Sequence, residues 1–346
     1  MSESHIRIDR RAGRITLNRP QALNALTYDM IRAIESALDD WRDDPAVGLI
    51  VIDAAGDKAF CAGGDIADLY RTGKAGDYAF GRQFWRDEYR LNAKLATCPK
   101  PIVSFLQGFT MGGGVGVGCH ARHRIVGDTS QIAMPECGIG LVPDVGGSLL
   151  LARAPGRLGE YFGLTGARMG PGDAIHMGFA DHYLPESGWA PLIGELESTG
   201  STAPIDAAAQ PAPPAKIPVH RGDIDAIFAR DTLAGIAGAL AAAPGDFAAR
   251  TLQAIQRNSP LSMACALSLI ARVRARPTIH HALGQEYRFT ARAMEHGDFL
   301  EGIRAAIIDK DRAPRWPHSL DSVPPDAIEA MLAPLGEHDL TWETET

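Results

Sequence analysis

Apolar residues recur along the first half of the chain with two different spacings. Short apolar runs at residues 14–18, 47–52, 101–106 and 124–127 predict strands. Residues 27–41 instead repeat their apolar positions at helical spacing, and Thr27 is placed to cap that helix. This alternation of strand and helix predicts an α/β fold.

The second half of the chain has a different pattern. Residues 198–218 are rich in Ala, Pro and Ser, which predicts a surface loop or linker without a core of its own. Residues 224–242, 260–276 and 280–294 have helical spacing, and the Pro-rich, acidic ending from residue 314 is expected to be peripheral. We therefore divide the chain into an α/β core (1–197), a loop or linker (198–218) and a mostly helical region (219–346).

Composition narrows the class of protein. The 346 residues are 45% hydrophobic, enough for a sizeable core, and the net charge of −8 disfavours nucleic acid as a partner. No apolar run approaches the roughly 20 residues that span a bilayer, and the first residues are polar, so we expect no membrane and a cytoplasmic location. The five cysteines form no C-x-x-C pair, which favours reduced thiols. Each lies among small or apolar residues, which favours inert packing over catalysis.

Glycine is concentrated at residues 111–118, MGGGVGVG, directly after a predicted strand. The spacing fits neither a dinucleotide-binding nor a Walker phosphate-binding motif. A second glycine-rich turn, residues 59–66, also follows a predicted strand. Two such turns could present two backbone N–H groups to one developing oxyanion. For either run alone, close packing of a helix on a sheet is the favoured interpretation.

Several motifs together resemble the crotonase (enoyl-CoA hydratase/isomerase) superfamily. They lie at residues 15–20 (ITLNRP), 24–26 (NAL), 58–66 (KAFCAGGDI) and 111–115 (MGGGV). The resemblance is closer to one branch, the 3-hydroxyisobutyryl-CoA hydrolases, through residues 88–92, 133–136, 139–147, 164–166, 259–260, 285–288 and 301–311. It covers about residues 6–316, with the Ala/Pro-rich segment as its main gap.

The resemblance implies a spiral of β–β–α repeats that forms the catalytic core. It also implies an acyl-CoA thioester whose oxygen accepts hydrogen bonds from the N–H groups of Gly64 and Gly113. No cofactor is expected, because the coenzyme A belongs to the substrate. Association of subunits through the C-terminal helices is expected, since family members commonly assemble in this way.

Acidic residues distinguish the reactions of the family. Hydratases of the family carry two glutamates, and Gly116 stands at the first of these positions while Glu136 stands at the second. Asp144 follows eight residues after Glu136, as in the hydrolase branch. The resemblance therefore implies hydrolysis of a short branched 3-hydroxyacyl-CoA by Glu136 and Asp144, with Glu88 binding the substrate hydroxyl.

Basic residues are expected to contact the phosphates of coenzyme A. Lys58 is the main candidate, and Arg19 and Arg71 are weaker ones. Each of them is equally well interpreted as a solvated surface charge.

Structural roles stay open for the acidic residues and the histidines. Asp144 could cap a helix, and Glu88 could be a solvated helix residue. His120 and His123 have metal-ligand spacing, but without a third ligand nearby they indicate surface residues.

Two further functions also fit the sequence. One is an isomerase or hydratase-like enzyme that uses Glu136 as its single acid and base. The second is a non-catalytic acyl-CoA-binding protein, which is disfavoured because Glu136 and both glycine-rich turns are present.

Overall fold

The computed structural model describes residues 3–342 of the chain. The strands are β1 Ser4–Asp9, β2 Ala12–Leu17, β3 Leu49–Ala54, β4 Ala59–Cys61, β5 Ile102–Phe105, β6 Phe109–Met111, β7 His123–Val126, β8 Gln131–Ala133 and β9 His182–Tyr183.

The first eight helices are α1 Tyr28–Arg42, α2 Ala67–Lys74, α3 Tyr78–Thr97, α4 Gly113–Gly118, α5 Gly147–Arg153, α6 Leu158–Thr165, α7 Pro171–His176 and α8 Trp189–Thr199. The others are α9 Pro204–Ala208, α10 Arg221–Ile227, α11 Leu233–Ala242, α12 Asp246–Ile255, α13 Pro260–Ala275, α14 Ile279–His296, α15 Phe299–Ile303 and α16 Pro325–Leu332. A π-helical turn, Arg304–Ile308, follows α15 directly.

The chain forms two compact units that are interleaved along the sequence. The first comprises Met1–Asp65, Arg90–Ala133 and Arg168–Lys216, and the second comprises Ile66–Tyr89, Met134–Ala167 and Ile217–Thr346. Strands β1 to β9 belong to the first unit, whereas α5, α6 and α10 to α16 belong to the second. The division at residues 197 and 218 stays a prediction.

Two sheets build the first unit. The larger has the strand order β1-β2-β3-β5-β7-β9 and is parallel except for the β1–β2 pair, and the smaller is the parallel sheet β4-β6-β8. Successive strands β3 to β8 alternate between the two sheets, and helices follow each β–β pair. This is the predicted spiral of β–β–α repeats.

An apolar cluster covers one face of the larger sheet. The sheet contributes Val51, Val103 and Phe105, and α8 packs onto them with Trp189, whose ring centroid lies 5.3 Å from that of Phe105. Burial of such aromatic and branched side chains is the main favourable term in folding. The segment 198–218 also contributes to this core, because Ile205 on α9 is 1% exposed.

Helices alone form the second unit in the described residues. The long helix α13 packs on α5, α6 and α14. Its buried residues surround the helix rather than forming one stripe, which is typical of a central helix. Ser259 caps it by accepting a hydrogen bond from the Ser262 N–H.

Several predicted elements are confirmed and others need correction. Helix α1 begins after Thr27, whose side chain accepts a hydrogen bond from the Met30 N–H as predicted. Residues 224–242 are two helices, α10 and α11, because the chain turns at residues 228–232. The expectation of a peripheral ending is wrong for α16, whose Met331 and Leu332 are buried.

Among residues 3–342, no helix combines the length and the apolar character that crossing a bilayer requires. A cytoplasmic location stays a prediction.

Candidate functional site

The two glycine turns, residues 61–65 and 111–114, lie side by side in the first unit. They follow β4 and β6, which pair in parallel with Cys61 opposite Thr110. Parallel pairing brings the carboxyl ends of both strands to the same edge of the sheet. Gly64 and Gly113 therefore follow neighbouring strand ends.

The backbones of the two turns are in direct contact. A methyl group on Gly114 would overlap the carbonyl oxygen of Cys61 and lie 3.0 Å from its Cβ. A methyl group on Gly63 would lie 3.7 Å from the carbonyl oxygen of Met111. Close packing, the simpler interpretation of the glycines, is therefore correct for Gly114.

The N–H of Gly64 takes no part in the backbone hydrogen bonds between its turn and Leu26. Gly64 forms a parallel bridge with Leu26, made by the Leu26 N–H to the Gly63 oxygen (2.9 Å) and the Asp65 N–H to the Leu26 oxygen (2.8 Å). Neither bond uses the Gly64 N–H, so this donor can serve a ligand.

The second turn opens α4 at Gly113. Gly112 has φ of +49°, a conformation that favours glycine, and its carbonyl accepts the N–H groups of Val115 (2.7 Å) and Gly116 (3.2 Å). The first N–H groups of a helix have no partner within it, and Gly113 carries one of them. Gly116, at the place of the missing hydratase glutamate, is buried in this helix.

Four buried carboxyl groups form an acidic cluster in the second unit. Glu88, Glu136, Asp144 and Glu286 are all at most 4% exposed. Burial of several like charges raises carboxyl pKa values, because the charged forms lose hydration and repel one another. Such groups mark candidate active sites.

Glu136 carries a carboxylate oxygen without a hydrogen-bond partner in the described residues. It opens the 3₁₀ turn Glu136–Ile139 that follows Pro135. Burial, and then the charge of Asp144, raises the pKa of Glu136 well above its ordinary value. Within residues 3–342, the buried Oε2 of Glu136 has no hydrogen-bond partner. A buried polar atom of this kind requires a physical reason, and a ligand or water is the usual one.

Asp144 is held by a tyrosine. The hydroxyl of Tyr89 donates a hydrogen bond of 2.7 Å to Asp144 Oδ2. Burial raises the pKa of Asp144 to about 7, while the Tyr89 hydrogen bond opposes that rise by stabilising the carboxylate. The alternative that Asp144 caps a helix is wrong, because Gly146 occupies the N-cap of α5.

Glu88 lies on α3 and points away from solvent. It is 3% exposed, so the alternative of a solvated helix residue is wrong. Burial, and then the charge of Asp144, raises the pKa of Glu88 well above its ordinary value. Glu88 and Asp144 therefore share one electrostatic environment.

Sequence reasoning missed two members of this environment. Tyr89 follows Glu88 directly, and Glu286 lies on α14 among residues of its buried face. Burial raises the pKa of Glu286 to about 8, although hydrogen bonds from Ser148 and Gly146 oppose the rise. An acidic residue on the apolar stripe that includes Ile279 and Leu283 was the signal in the sequence.

The candidate cations differ in availability. Lys58 is exposed and lines a cleft with residues 55–57 of the same loop. Arg19 pairs with Glu3 (3.2 Å) and Asp65 (3.1 Å), which occupies its guanidinium. Lys58 thus stays the main candidate for phosphate contact.

Arg71 and His123 each have a local partner. Arg71 pairs with Asp68 at 3.0 Å on the exposed surface of α2. The ring of His123 stacks on that of His182, with centroids 5.6 Å apart. Across residues 3–342, no group of three or more His, Cys, Asp or Glu side chains has an arrangement suited to a metal ion.

Comparison with known proteins places the chain in a family. Residues 12–332 match the family described as enoyl-CoA hydratase/isomerase. The chain is 38% identical over 342 residues to the mitochondrial 3-hydroxyisobutyryl-CoA hydrolase of Gallus gallus. The aligned region covers 95% of this chain and 88% of that relative.

Solved structures share the fold. An enoyl-CoA hydratase from Rhodobacter sphaeroides 2.4.1 has 58% identity and a TM-score of 0.95, covering 99% of this chain and 100% of that one. A carnitinyl-CoA dehydratase from Mycobacterium thermoresistibile has 40% identity and a TM-score of 0.95, covering 100% of both chains. The predicted fold and the resemblance of the motifs are therefore confirmed: this chain belongs to the enoyl-CoA hydratase/isomerase family and is similar to the 3-hydroxyisobutyryl-CoA hydrolases.

Proposed function

We propose that this protein hydrolyses a short branched 3-hydroxyacyl-CoA thioester of the 3-hydroxyisobutyryl-CoA type to the free acid and coenzyme A. The observation that carries the proposal is the buried pair Glu136 and Asp144, with one unpartnered Glu136 oxygen in the described residues. Similarity to hydrolases that are named for this substrate supports it. Gly116 also supports it, because the first of the two hydratase carboxylates is missing.

The N–H groups of Gly64 and Gly113 are assigned to the thioester oxygen. Both glycines follow neighbouring parallel strands, and each has a donor that the local backbone does not use. Donors fixed in this way stabilise the negative charge that develops on the oxygen as the carbonyl carbon becomes tetrahedral. Loss of one such donor in other enzymes costs about 10²–10³-fold in kcat.

Glu136 is assigned to the carbonyl carbon. As a nucleophile, its carboxylate would displace the CoA thiolate and form a mixed anhydride, which water then hydrolyses. As a general base, it would instead remove a proton from the attacking water. In either route Glu136 must be ionised, and its raised pKa makes this the pH-sensitive condition of the reaction.

Asp144 and Glu88 are assigned to orientation and Lys58 to a phosphate of coenzyme A. Asp144 would orient the water or the β-hydroxyl of the substrate, and Glu88 would bind that hydroxyl. Because the buried acids interact, their ionisations belong to the cluster as a whole. The proposal requires no cofactor, since the coenzyme A enters with the substrate.

An isomerase or hydratase-like activity is the second candidate. The solved structure from Rhodobacter sphaeroides, 58% identical to this chain, is described as an enoyl-CoA hydratase. A single carboxylate, Glu136, could move one proton along an acyl chain. Asp144 and Glu88 have no evident task in that reaction.

One assay separates the two candidates. Purified protein is mixed with 3-hydroxyisobutyryl-CoA or with crotonyl-CoA, and free thiol is followed together with the absorbance of the enoyl thioester. Thiol release from the first substrate is expected. Loss of the enoyl absorbance without thiol release would reverse the ranking. Association through the C-terminal helices stays a prediction, which the mass in solution tests.

A further inference from the structure

Glu286 makes three hydrogen bonds to the turn that carries Asp144. Its Oε2 accepts the N–H of Gly146 at 2.8 Å, and its Oε1 accepts the N–H of Ser148 at 3.1 Å. The Ser148 hydroxyl also donates to Oε1. Glu286 is fully buried on α14, so these bonds form away from competing water.

The turn that Glu286 holds has an unfavourable backbone conformation. Val145 has φ of +52°, and Gly146 has φ of +79°. A left-handed conformation is uncommon for a β-branched residue such as Val145, and it persists only where the surroundings impose it. The hydrogen bonds to Glu286 lie directly after Val145 and provide that constraint.

Tyr89 holds the side chain of Asp144 rather than its backbone. Its hydroxyl lies 2.7 Å from Asp144 Oδ2, and both residues are buried. The Tyr89 ring packs edge-on against Tyr287, with centroids 6.3 Å apart. Asp144 is thus fixed at its backbone by Glu286, through the turn, and at its carboxylate by Tyr89.

We propose that Glu286 and Tyr89 are positioning residues that hold the Asp144 carboxylate in one orientation for the reaction. This inference rests on the proposed function only for its catalytic consequence. The contacts themselves are a property of the fold. The ionisable groups near Asp144 are Glu88 and Tyr89 on α3, Glu136 on the 3₁₀ turn and Glu286 on α14.

The kinetic test compares Tyr89→Phe and Glu286→Gln with Tyr287→Phe in the full chain. Tyr287 is the matched control, because the hydrogen bonds of its hydroxyl do not involve Asp144. That hydroxyl accepts a hydrogen bond from the Arg86 guanidinium (2.9 Å) and donates one to the Arg82 carbonyl (3.3 Å). We expect kcat for 3-hydroxyisobutyryl-CoA to fall about 10- to 100-fold in both test variants with KM nearly unchanged, as for a misplaced catalytic group. Tyr287→Phe should keep the wild-type kcat.

The pH dependence of kcat distinguishes loss of the Tyr89 hydrogen bond from a general destabilisation of the fold. A hydroxyl that donates to a carboxylate lowers its pKa, so Tyr89→Phe should raise the pKa of Asp144 and, because Asp144 and Glu136 interact, change the midpoint of the kcat profile. Wild-type kcat in both test variants, or a kcat profile that keeps the wild-type midpoint in Tyr89→Phe, would overturn the proposal.

A second readout does not depend on activity. The carboxyl carbon of Asp144, labelled with ¹³C and assigned by its loss in Asp144→Asn, is titrated by NMR. Its midpoint should rise in Tyr89→Phe and stay unchanged in Tyr287→Phe.

A rise in a protein that releases no thiol would support the contacts while rejecting the proposed function. An unchanged midpoint in Tyr89→Phe would reject the contacts whether or not thiol is released. If Glu286→Gln does not fold, Tyr89→Phe alone decides.

Discussion

Gly114 packs so closely against Cys61 that any side chain on Gly114 would overlap the Cys61 carbonyl oxygen. Gly114→Ala should therefore lower the free energy of unfolding by about 1–3 kcal/mol, the usual cost of overpacking. It should also lower kcat by separating the Gly64 and Gly113 donors. Chemical denaturation and thiol release measure the two effects.

Gly194 provides the control for this substitution. It lies inside α8, and a methyl group there would meet no atom within 4 Å in the described structure. Gly194→Ala should be neutral or stabilise the protein by about 0.5–1 kcal/mol, because alanine favours a helix interior. If Gly114→Ala behaved like Gly194→Ala, the close contact between the turns would be wrong.

Removal of the Glu136 charge should abolish turnover. Glu136→Gln keeps the size of the side chain but leaves neither a base nor a nucleophile, so we expect kcat to fall by about 10²–10⁴-fold. Binding of the CoA ester, measured by calorimetry, should change little. Glu329→Gln, at an exposed position of α16, is the control. Turnover that survives in Glu136→Gln contradicts the assignment of this carboxylate.

Asp144 should make stability depend on pH. Its pKa is about 7 in the folded protein against an ordinary value of 3.8, so between these values the folded state binds more protons than the unfolded state. Stability attributable to Asp144 is therefore lost as the pH rises through that window. Each unit of pKa difference corresponds to about 1.4 kcal/mol.

Asp144→Asn should flatten this dependence. Urea denaturation between pH 4 and pH 7 should show a smaller loss of stability in the variant than in the wild type. The Glu329→Gln control should follow the wild type. Parallel curves for the wild type and Asp144→Asn would show that the pKa of Asp144 is not raised in the folded protein.

Asn24 holds both ends of the loop between β3 and β4, which carries Lys58. Its Oδ1 accepts the Arg19 N–H (2.8 Å), and its Nδ2 donates to the carbonyl groups of Ala55 and Ala59 (both 2.9 Å). Asn24→Ala should cost about 3 kcal/mol, or about 1 kcal/mol for each hydrogen bond. Asn24→Asp keeps the acceptor but turns a buried carboxylate oxygen toward those two carbonyl groups, so it should cost at least as much. Equal thermal denaturation of both variants and the wild type would contradict this role.

Local sequence predicted those parts of the fold that local interactions decide. Thr27 was identified as a cap because an N-cap needs only a side-chain oxygen and the first turn of its own helix. The glycine turns were predicted because consecutive glycines in the sequence mark backbone that carries no side chain. The separation of α10 from α11 was missed, because residues 228–232 contain neither glycine nor proline.

Longer-range relations in the candidate site could not be read from the sequence. Glu286 lies 140 residues after Gly146, and its hydrogen bonds depend on how α14 packs in the second unit. The left-handed conformation of Val145 could not be predicted from the sequence either, since valine rarely adopts it. The acidic residues were found, but the groups that orient them were not.

The interleaving of the two units has a consequence for truncated forms of the protein. The chain passes from one unit to the other at five places, so no single cut yields a fragment that contains either unit whole and nothing else. A premature stop between residues 217 and 285 would preserve every segment of the first unit, with Glu88, Glu136 and Asp144 also translated. It would still remove Glu286, and the Val145 turn would then be free to relax. Screens of nonsense alleles should therefore find stops between residues 217 and 285 as damaging as stops within the part that encodes the reacting groups.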